Sequence, residues 1–157
     1  MYITDLLSFK SIKLKTDLIK KTEVLEDLVN LLDRNNKLES KQDFLQDIEK
    51  REQLAPTGIA EAIAIPHARS KAVKTATISA ITTKEEINFG SRDGKPSKLF
   101  FMIAVPEEEH TLHIEILGKL SLILLDEEFR NELMNCEDEE QFVKMLSRAE
   151  ALRFNEK

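Results

Sequence analysis

The amino-acid sequence predicts an α/β fold in which a mixed β-sheet is flanked by helices on both faces. Apolar residues recur at helical spacing in two segments near the N-terminus and in three segments near the C-terminus. Between these segments lie short stretches that are rich in β-branched and aromatic residues and bounded by glycine or proline, which is typical of strands. Helices and strands are thus grouped along the chain, which favours a mixed-sheet sandwich over a doubly wound fold with strict alternation.

Two helices are predicted in the N-terminal part of the chain. Apolar residues repeat at helical spacing over 22–34, behind a threonine cap at Thr22. The start signal recurs at Ser40, which has an acidic residue three positions later, and predicts a second helix over about 41–52. The segment 12–16 is a further candidate strand ahead of both helices.

The middle of the chain predicts the main strands of the sheet, at 63–65, 75–83 and 98–105. A turn signal at Asp93–Gly94 separates the second strand region, which extends over 76–89, from the third. These two segments are therefore expected to be neighbours in the sheet.

Three further helices are predicted at 111–125, 127–135 and 139–148. The length of 157 residues is that of one ordinary domain. We expect residues 1–150 to form this single domain and residues 151–157 to be a tail or a linker stub.

Composition excludes several classes of function. The net charge of −6 comes without an isolated block of lysine and arginine, so nucleic acid is a poor candidate for a partner. The longest apolar run, 99–105, is far short of the roughly 20 residues that cross a bilayer, and the N-terminus shows no signal-peptide pattern. A cytoplasmic chain without membrane insertion is expected. The single cysteine, Cys136, excludes an internal disulfide and a cysteine-based zinc site.

The three histidines are the candidates for chemistry. His67 follows a predicted buried strand and a proline, and a neutral imidazole can attack phosphorus and carry the phosphoryl group. His113 falls in the first turn of the helix over 111–125, where backbone N–H groups favour an anion. Each could equally be an ordinary loop or capping histidine. The spacing of His110 and His113 also permits a metal site, although no established metal motif is present.

Arg51 is predicted at the end of the second helix, where its guanidinium could bind phosphate oxygens through two parallel hydrogen bonds. The alternative is that it belongs to a solvated helix face. Thr57 and Ser70 lie on either side of the His67 segment and could donate to an anion or simply cap loops. The glycine-rich motifs of nucleotide-binding proteins and the nucleophile motif of α/β-hydrolases are absent from the sequence.

Taken together, the motifs resemble a known family, the IIA domains of the fructose/mannitol class of the bacterial sugar phosphotransferase system (type-2 IIA domains). The resemblance covers the chain from Ile3 to about Ala149. The motifs that carry it are Arg51-Glu52, Thr57-Gly58-Ile59, Ile63-Ala64-Ile65-Pro66-His67, Phe89, Asp93-Gly94-Lys95-Pro96, Pro106 and His113-Ile114-Glu115-Ile116-Leu117-Gly118-Lys119-Leu120-Ser121. The chain departs from the family pattern in having Ala60 and Ala62 where glycine is usual, and Gly118 where alanine is usual.

The resemblance implies a phosphocarrier. His67 would accept a phosphoryl group from the phosphohistidine of the carrier protein HPr and pass it to a cysteine of a IIB domain or subunit of a sugar permease. His113 would assist at the phosphoryl group, and Arg51 would contact the phosphate. No cofactor and no metal are expected, since transfer between protein side chains needs no nucleotide. The family fold, a mixed sheet flanked by helices, agrees with the elements predicted above.

Three functions stay open on the sequence. The first is a phosphocarrier for sugar uptake, with fructose as the sugar. The second is a regulatory domain resembling the nitrogen-type IIA proteins, in which phosphorylation of His67 controls partner binding. The third is a metal-dependent hydrolase built on His67, His110 and His113. The chain could act alone and be recruited to a membrane permease, or it could form part of a longer IIA-IIB-IIC polypeptide.

Overall fold

The structure is a computed structural model and describes residues 1–154. Over these residues the chain forms five α-helices and six strands, preceded by two short 3-10 turns. The helices are α1 Lys21–Arg34, α2 Lys41–Leu54, α3 Leu112–Ile123, α4 Glu127–Asn135 and α5 Glu139–Phe154. The strands are β1 Ile12–Thr16, β2 Gly58–Ala60, β3 Ile63–Ala64, β4 His67–Ser70, β5 Thr77–Ile87 and β6 Ser97–Pro106.

The strands form one mixed sheet with the order β1-β5-β6-β3-β2, and β4 pairs with β6 beyond β3. β5 runs antiparallel to β6, as the turn signal between them predicts, whereas β3 and β4 run parallel to β6 and β1 runs parallel to β5. β6 therefore lies at the centre, and its C-terminal half borders the strand that begins with His67. The predicted mixed sheet is confirmed.

Side chains of β6 alternate between two hydrophobic cores. Phe101 and Ile103 pack in the core formed with α3, α4 and α5, whereas Phe100 and Met102 pack in the core formed with α1 and α2. All four are fully buried, because a central strand covered on both faces has no solvated side. Helices on both faces of the sheet are thereby confirmed.

The helix starts were predicted with mixed success. Ser40 caps α2 as expected, because its hydroxyl accepts a hydrogen bond from Asp43 N at 3.2 Å. The predicted threonine cap of α1 is wrong: the helix begins one residue earlier, after Lys20, and Thr22 lies inside the first turn. Here the Glu23 carboxylate accepts from Lys20 N at 3.0 Å, so an acidic residue in the first turn satisfies the backbone instead.

The last helix is longer than its apolar pattern predicts. α5 continues to Phe154, so residues 151–154 are helical where a tail was expected, and 155–157 lie outside the described residues. The continuation contains Glu150, a buried carboxylate that accepts from Ile3 N at 2.6 Å. A charged residue on the buried face interrupts the apolar repeat, although it fixes the helix to the N-terminal segment.

No helix within residues 1–154 is both long enough and apolar enough to cross a membrane.

Candidate functional site

His67 is placed by the strand at the centre of the sheet. Pro66 O accepts from Ile103 N at 2.9 Å, and the Cα atoms of His67 and Ile103 are partners in the β4–β6 pairing. The buried Ile65 and Pro66 hold the chain immediately before the histidine. A buried, hydrogen-bonded backbone on one side and a partly exposed ring on the other give His67 a fixed position at the surface.

A single hydrogen bond determines the tautomer of the His67 ring. Nδ1 lies 2.8 Å from the carbonyl oxygen of Ile65. A carbonyl oxygen only accepts, so Nδ1 carries the proton and, in the neutral ring, Nε2 carries the lone pair. Burial lowers the pKa of His67 below its ordinary value, and the nearby Arg51 charge lowers it further, against the raising effects of the Ile65 hydrogen bond and the Glu52 charge. Nε2 is therefore an unprotonated nitrogen near neutral pH.

His113 lies beside His67, in the first turn of α3 as predicted. The two ring centroids are 6.5 Å apart and the ring planes are inclined by 24°. Partial burial lowers the pKa of His113, and the charges of Arg69 and His67 act in the same direction. Two neutral imidazoles thus stand side by side, brought together from β4 and the start of α3.

Both histidines line an open cleft of about 750 Å³ between α2 and β4. Arg51, Lys50 and Arg69 line the same cleft and provide positive charge near the rings. Its remaining lining includes four acidic residues: Glu39, Asp43, Asp47 and Glu107. The structure therefore brings the three predicted site residues, His67, His113 and Arg51, to one cleft.

Arg51 lies in the last turn of α2. Its Nη1 donates to Ala55 O at 2.8 Å, which closes the end of the helix and holds the side chain in place. A guanidinium has five N–H donors, so this contact leaves donors for an anion in the cleft. After burial, which is the main cause, the charge of Arg51 also lowers the pKa of His67.

The residue after Arg51 fixes the loop that leads back into the sheet. Glu52 is buried and accepts from Thr57 N at 2.8 Å and from Thr57 Oγ1 at 2.5 Å, while its carboxylate lies 2.8 Å from Lys21 Nζ. Gly58 follows at a close approach, since a Cβ atom there would lie 3.0 Å from Ser91 Cβ. The hydroxyl of Thr57 therefore holds its own loop, the alternative to donating a hydrogen bond to an anion in the cleft.

Ser70 has a comparable structural role at the other end of β4. Its hydroxyl donates to Asp47 Oδ2 at 2.6 Å and accepts from Ala72 N at 3.0 Å. These contacts join β4 to α2 and fix the width of the cleft. The hydroxyl is buried, and its hydrogen bonds to Asp47 and Ala72 give it a structural role instead of a contact with an anion.

The turn between β2 and β3 carries backbone strain. Glu61 and Ala62 adopt φ values of 55° and 73°, the left-handed region that favours glycine. Ala62 is one of the two positions where the resembled family usually has glycine. The Glu61 carboxylate is 3.4 Å from Arg130 Nη2, and Glu61 N donates to Asp93 Oδ2 at 3.2 Å. Side-chain contacts therefore help to hold a turn that its own residues disfavour.

Sequence reasoning missed Arg69 and the strand that carries it. Side chains at i and i+2 of a strand share a face, so an arginine two residues after His67 is a detectable signal once β4 is known. Arg69 Nη1 donates to Glu107 O at 3.2 Å and lies 2.9 Å from His110 Nδ1. β4 is short and polar, and its pattern alone does not predict a strand.

The histidines do not converge as a metal site. Within residues 1–154, no group of three or more histidine, cysteine, aspartate or glutamate side chains could hold a metal ion. Nδ1 of His110 is occupied by the Arg69 contact rather than directed with His67 and His113 at one point. What the cleft offers is a neutral nitrogen nucleophile flanked by cations, an arrangement suited to an anionic electrophile.

The chain is similar to proteins of one known family. Residues 5–149 match the family described as phosphoenolpyruvate-dependent sugar phosphotransferase system, EIIA 2. The chain is 37% identical over 147 residues to the fructose-specific EIIABC component of Bacillus subtilis, covering 94% of this chain but only 23% of that protein. It is 33% identical to the fructose-specific EIIA component of Haloferax volcanii, covering 81% of this chain and 82% of that protein.

Among solved structures, the nitrogen regulatory protein IIA-Ntr from Neisseria meningitidis is similar with a TM-score of 0.85 and 34% identity, covering 92% of this chain and 98% of that one. The chain thus spans about a quarter of the Bacillus subtilis protein, most of the Haloferax volcanii protein and nearly the whole of the Neisseria meningitidis chain. The family match covers almost all described residues, and the cleft holds two histidines together with Arg51. The chain therefore belongs to the EIIA 2 family of the phosphoenolpyruvate-dependent sugar phosphotransferase system.

Proposed function

We propose that this chain is a phosphocarrier: His67 accepts a phosphoryl group from phosphorylated HPr and passes it to a cysteine of a IIB domain during sugar uptake. The observation that carries the proposal is the hydrogen bond from His67 Nδ1 to Ile65 O at 2.8 Å. It holds the ring in the tautomer whose Nε2 has a lone pair, and it keeps the ring in one orientation at the cleft.

The first transfer balances without a cofactor. The Nε2 lone pair of His67 forms a bond to phosphorus while the bond from phosphorus to the HPr imidazole nitrogen breaks. The electron pair of the broken bond stays on the HPr nitrogen. The proton of His67 stays on Nδ1 throughout, donated in the hydrogen bond to Ile65 O. Because one nitrogen–phosphorus bond replaces another, the phosphohistidines before and after the step have similar free energies.

The second transfer returns His67 to its starting state. A cysteine thiolate of the IIB partner attacks phosphorus, a sulfur–phosphorus bond forms, and the bond to Nε2 breaks with its electron pair returning to the imidazole. The imidazole of a phosphohistidine is a good leaving group for such a step, whereas a serine phosphate would be too stable. Histidine is therefore the residue type that a reversible relay requires at this position.

Arg51 and His113 act by charge and position. The phosphoryl transition state is loose and spreads negative charge over three oxygens, so most of the work is orientation and neutralisation. The unused donors of Arg51 contact these oxygens, and His113, with its ring centroid 6.5 Å from that of His67, orients the phosphoryl group from the other side.

Fructose is the sugar that the relatives favour, since both fructose-specific proteins above exceed 30% identity. A regulatory role is the second candidate, and the similarity to the nitrogen regulatory IIA-Ntr structure favours it. In that role the same phosphohistidine would change the affinity for a regulatory partner instead of supplying a permease. In either role, we expect the chain to work in the cytoplasm, alone or as part of a longer permease polypeptide.

The test is phosphorylation with phosphoenolpyruvate, enzyme I and HPr, followed by addition of a fructose-type IIB domain. The wild-type chain is expected to gain one acid-labile phosphoryl group and to lose it to the IIB cysteine. His67→Ala is expected to gain none, whereas His110→Asn still gains one. Phosphorylation that no sugar IIB domain removes would support the regulatory candidate. A wild-type chain that takes up no phosphate would refute both.

A further inference from the structure

The loop between β6 and α3 carries His113 into the site but has few contacts of its own. Residues 107–110 are all exposed, and the Thr111 side chain makes no hydrogen bond that caps α3. An uncapped helix start after an exposed loop is a segment that frays readily. Contacts from outside this loop therefore help to hold His113 beside His67.

Arg69 makes the contacts that join this loop to the sheet. Its backbone is paired with Val105 of β6, so the base of the side chain is fixed. One guanidinium nitrogen, Nη1, reaches two acceptors in the loop, Glu107 O at 3.2 Å and His110 Nδ1 at 2.9 Å. Nη1 has two hydrogens, so both contacts can be made at the same time.

The contact with His110 determines the state of that ring. A guanidinium only donates, so His110 Nδ1 must accept, and the ring is neutral with its proton on Nε2. The charged groups around this contact are Arg69 itself and the neighbouring acidic residues Glu107, Glu108 and Glu109 of the same loop.

We propose that Arg69 is a positioning residue for His113: through Glu107 O and neutral His110 it fastens the start of α3 to β4 and keeps His113 beside His67. This inference rests on the proposed phosphocarrier function for its kinetic consequence, but not for the contact itself. Arg69 lines the same cleft as both histidines, and its charge is near enough to lower the pKa of His113.

Four variants separate the contact from the charge. Arg69→Met removes both, whereas Arg69→Lys keeps the charge but lacks the planar guanidinium that reaches two acceptors. His110→Ala removes the acceptor. His110→Asn restores an acceptor oxygen close to the position of Nδ1 without a titratable ring. Arg69 and His110 are exposed, so all four variants are expected to fold.

The first measurement is single-turnover transfer from phosphorylated HPr. Arg69→Met is expected to slow transfer by roughly 10- to 100-fold, the loss that a misplaced group typically causes. His110→Ala is expected to be slower than His110→Asn, and Arg69→Lys to lie between wild type and Arg69→Met. Transfer by Arg69→Met at the wild-type rate, or equal rates for the two His110 variants, would overturn the proposal.

The second measurement needs no phosphate, so it distinguishes failure of this proposal from failure of the phosphocarrier function. Hydrogen exchange at the amides of Ile114 and Glu115, which donate to Thr111 O at 3.1 and 3.2 Å, reports the first turn of α3. Exchange should quicken in Arg69→Met and His110→Ala but not in His110→Asn. An NMR titration of His113 should show a raised pKa in Arg69→Met and not in Arg69→Lys. Unchanged exchange in Arg69→Met would refute the positioning role even where phosphorylation proceeds.

Discussion

The buried carboxylate of Glu52 offers a quantitative test of how the site is held. Only 5% of its side chain is exposed, and it holds Thr57 through two hydrogen bonds of 2.8 and 2.5 Å besides its ion pair with Lys21. Glu52→Ala leaves the buried N–H and hydroxyl of Thr57 without acceptors. The side chain of Lys21 is 28% exposed and can be solvated by water in the variant, so loss of the ion pair adds little to the cost.

The cost follows from these contacts. A hydrogen bond to a charged group contributes about 1.5 to 3 kcal/mol, and Glu52 accepts two such bonds from Thr57. We expect Glu52→Ala to lower the free energy of unfolding by about 3 to 4 kcal/mol. Glu52→Gln keeps one acceptor oxygen for Thr57, so its cost should be about 1 to 2 kcal/mol.

Urea unfolding of wild type and variants measures these differences, provided that the dependence on denaturant is the same for each. Glu49 is an exposed residue of the same helix, so Glu49→Ala is a matched control expected to change stability by no more than about 0.5 kcal/mol. A Glu52→Ala variant within about 1 kcal/mol of wild type would refute the claim that this carboxylate fixes the loop before β2.

Three further predictions concern His67 and two of the three positions where the chain departs from the family pattern, Ala62 and Gly118. Burial lowers the pKa of His67 below about 6.5, so the folded chain binds fewer protons than the unfolded chain. Its contribution to stability is therefore complete above pH 6.5 and is lost as the pH falls through the folded pKa; an NMR titration midpoint at or above 6.5 would contradict this. Ala62→Gly should raise the free energy of unfolding by about 0.5 to 1 kcal/mol, because it relieves a backbone at φ 73°. Gly118→Ala should raise it by about 1 kcal/mol, since an added Cβ would meet no atom within 4 Å on a helix interior. Thermal or urea unfolding tests both substitutions. A loss of stability would contradict the backbone strain at Ala62 or the open space beside Gly118.

The architecture could be predicted because its signals are local. The run around Phe101 in β6 is apolar on both faces, which indicates a covered central strand, and the cap at Ser40 marks the start of α2. The parts that sequence reasoning missed depend on contacts between distant segments. Glu150 breaks the apolar repeat of α5 because its partner is Ile3, at the other end of the chain.

The site shows the same division. His67 and His113 were candidates because each stands at an identifiable strand exit or helix start. Their separation of 6.5 Å is a result of the β4–β6 pairing and could not be read from spacing. Arg69 was overlooked because β4 carries a polar segment without strand periodicity. From the sequence, His110 was a candidate only for a metal ligand. In the structure it contacts Arg69, and we propose that this contact helps to position His113.

The most direct test of the proposed mechanism is to identify which nitrogen carries the phosphoryl group. The ¹⁵N-labelled chain is phosphorylated through HPr, and phosphorus–nitrogen couplings are measured by NMR. The hydrogen bond from Nδ1 to Ile65 O predicts phosphate on Nε2 of His67, with the Nδ1 proton retained. Phosphate on Nδ1 of His67, or on His113, would contradict the proposed assignment of nucleophile and assistant.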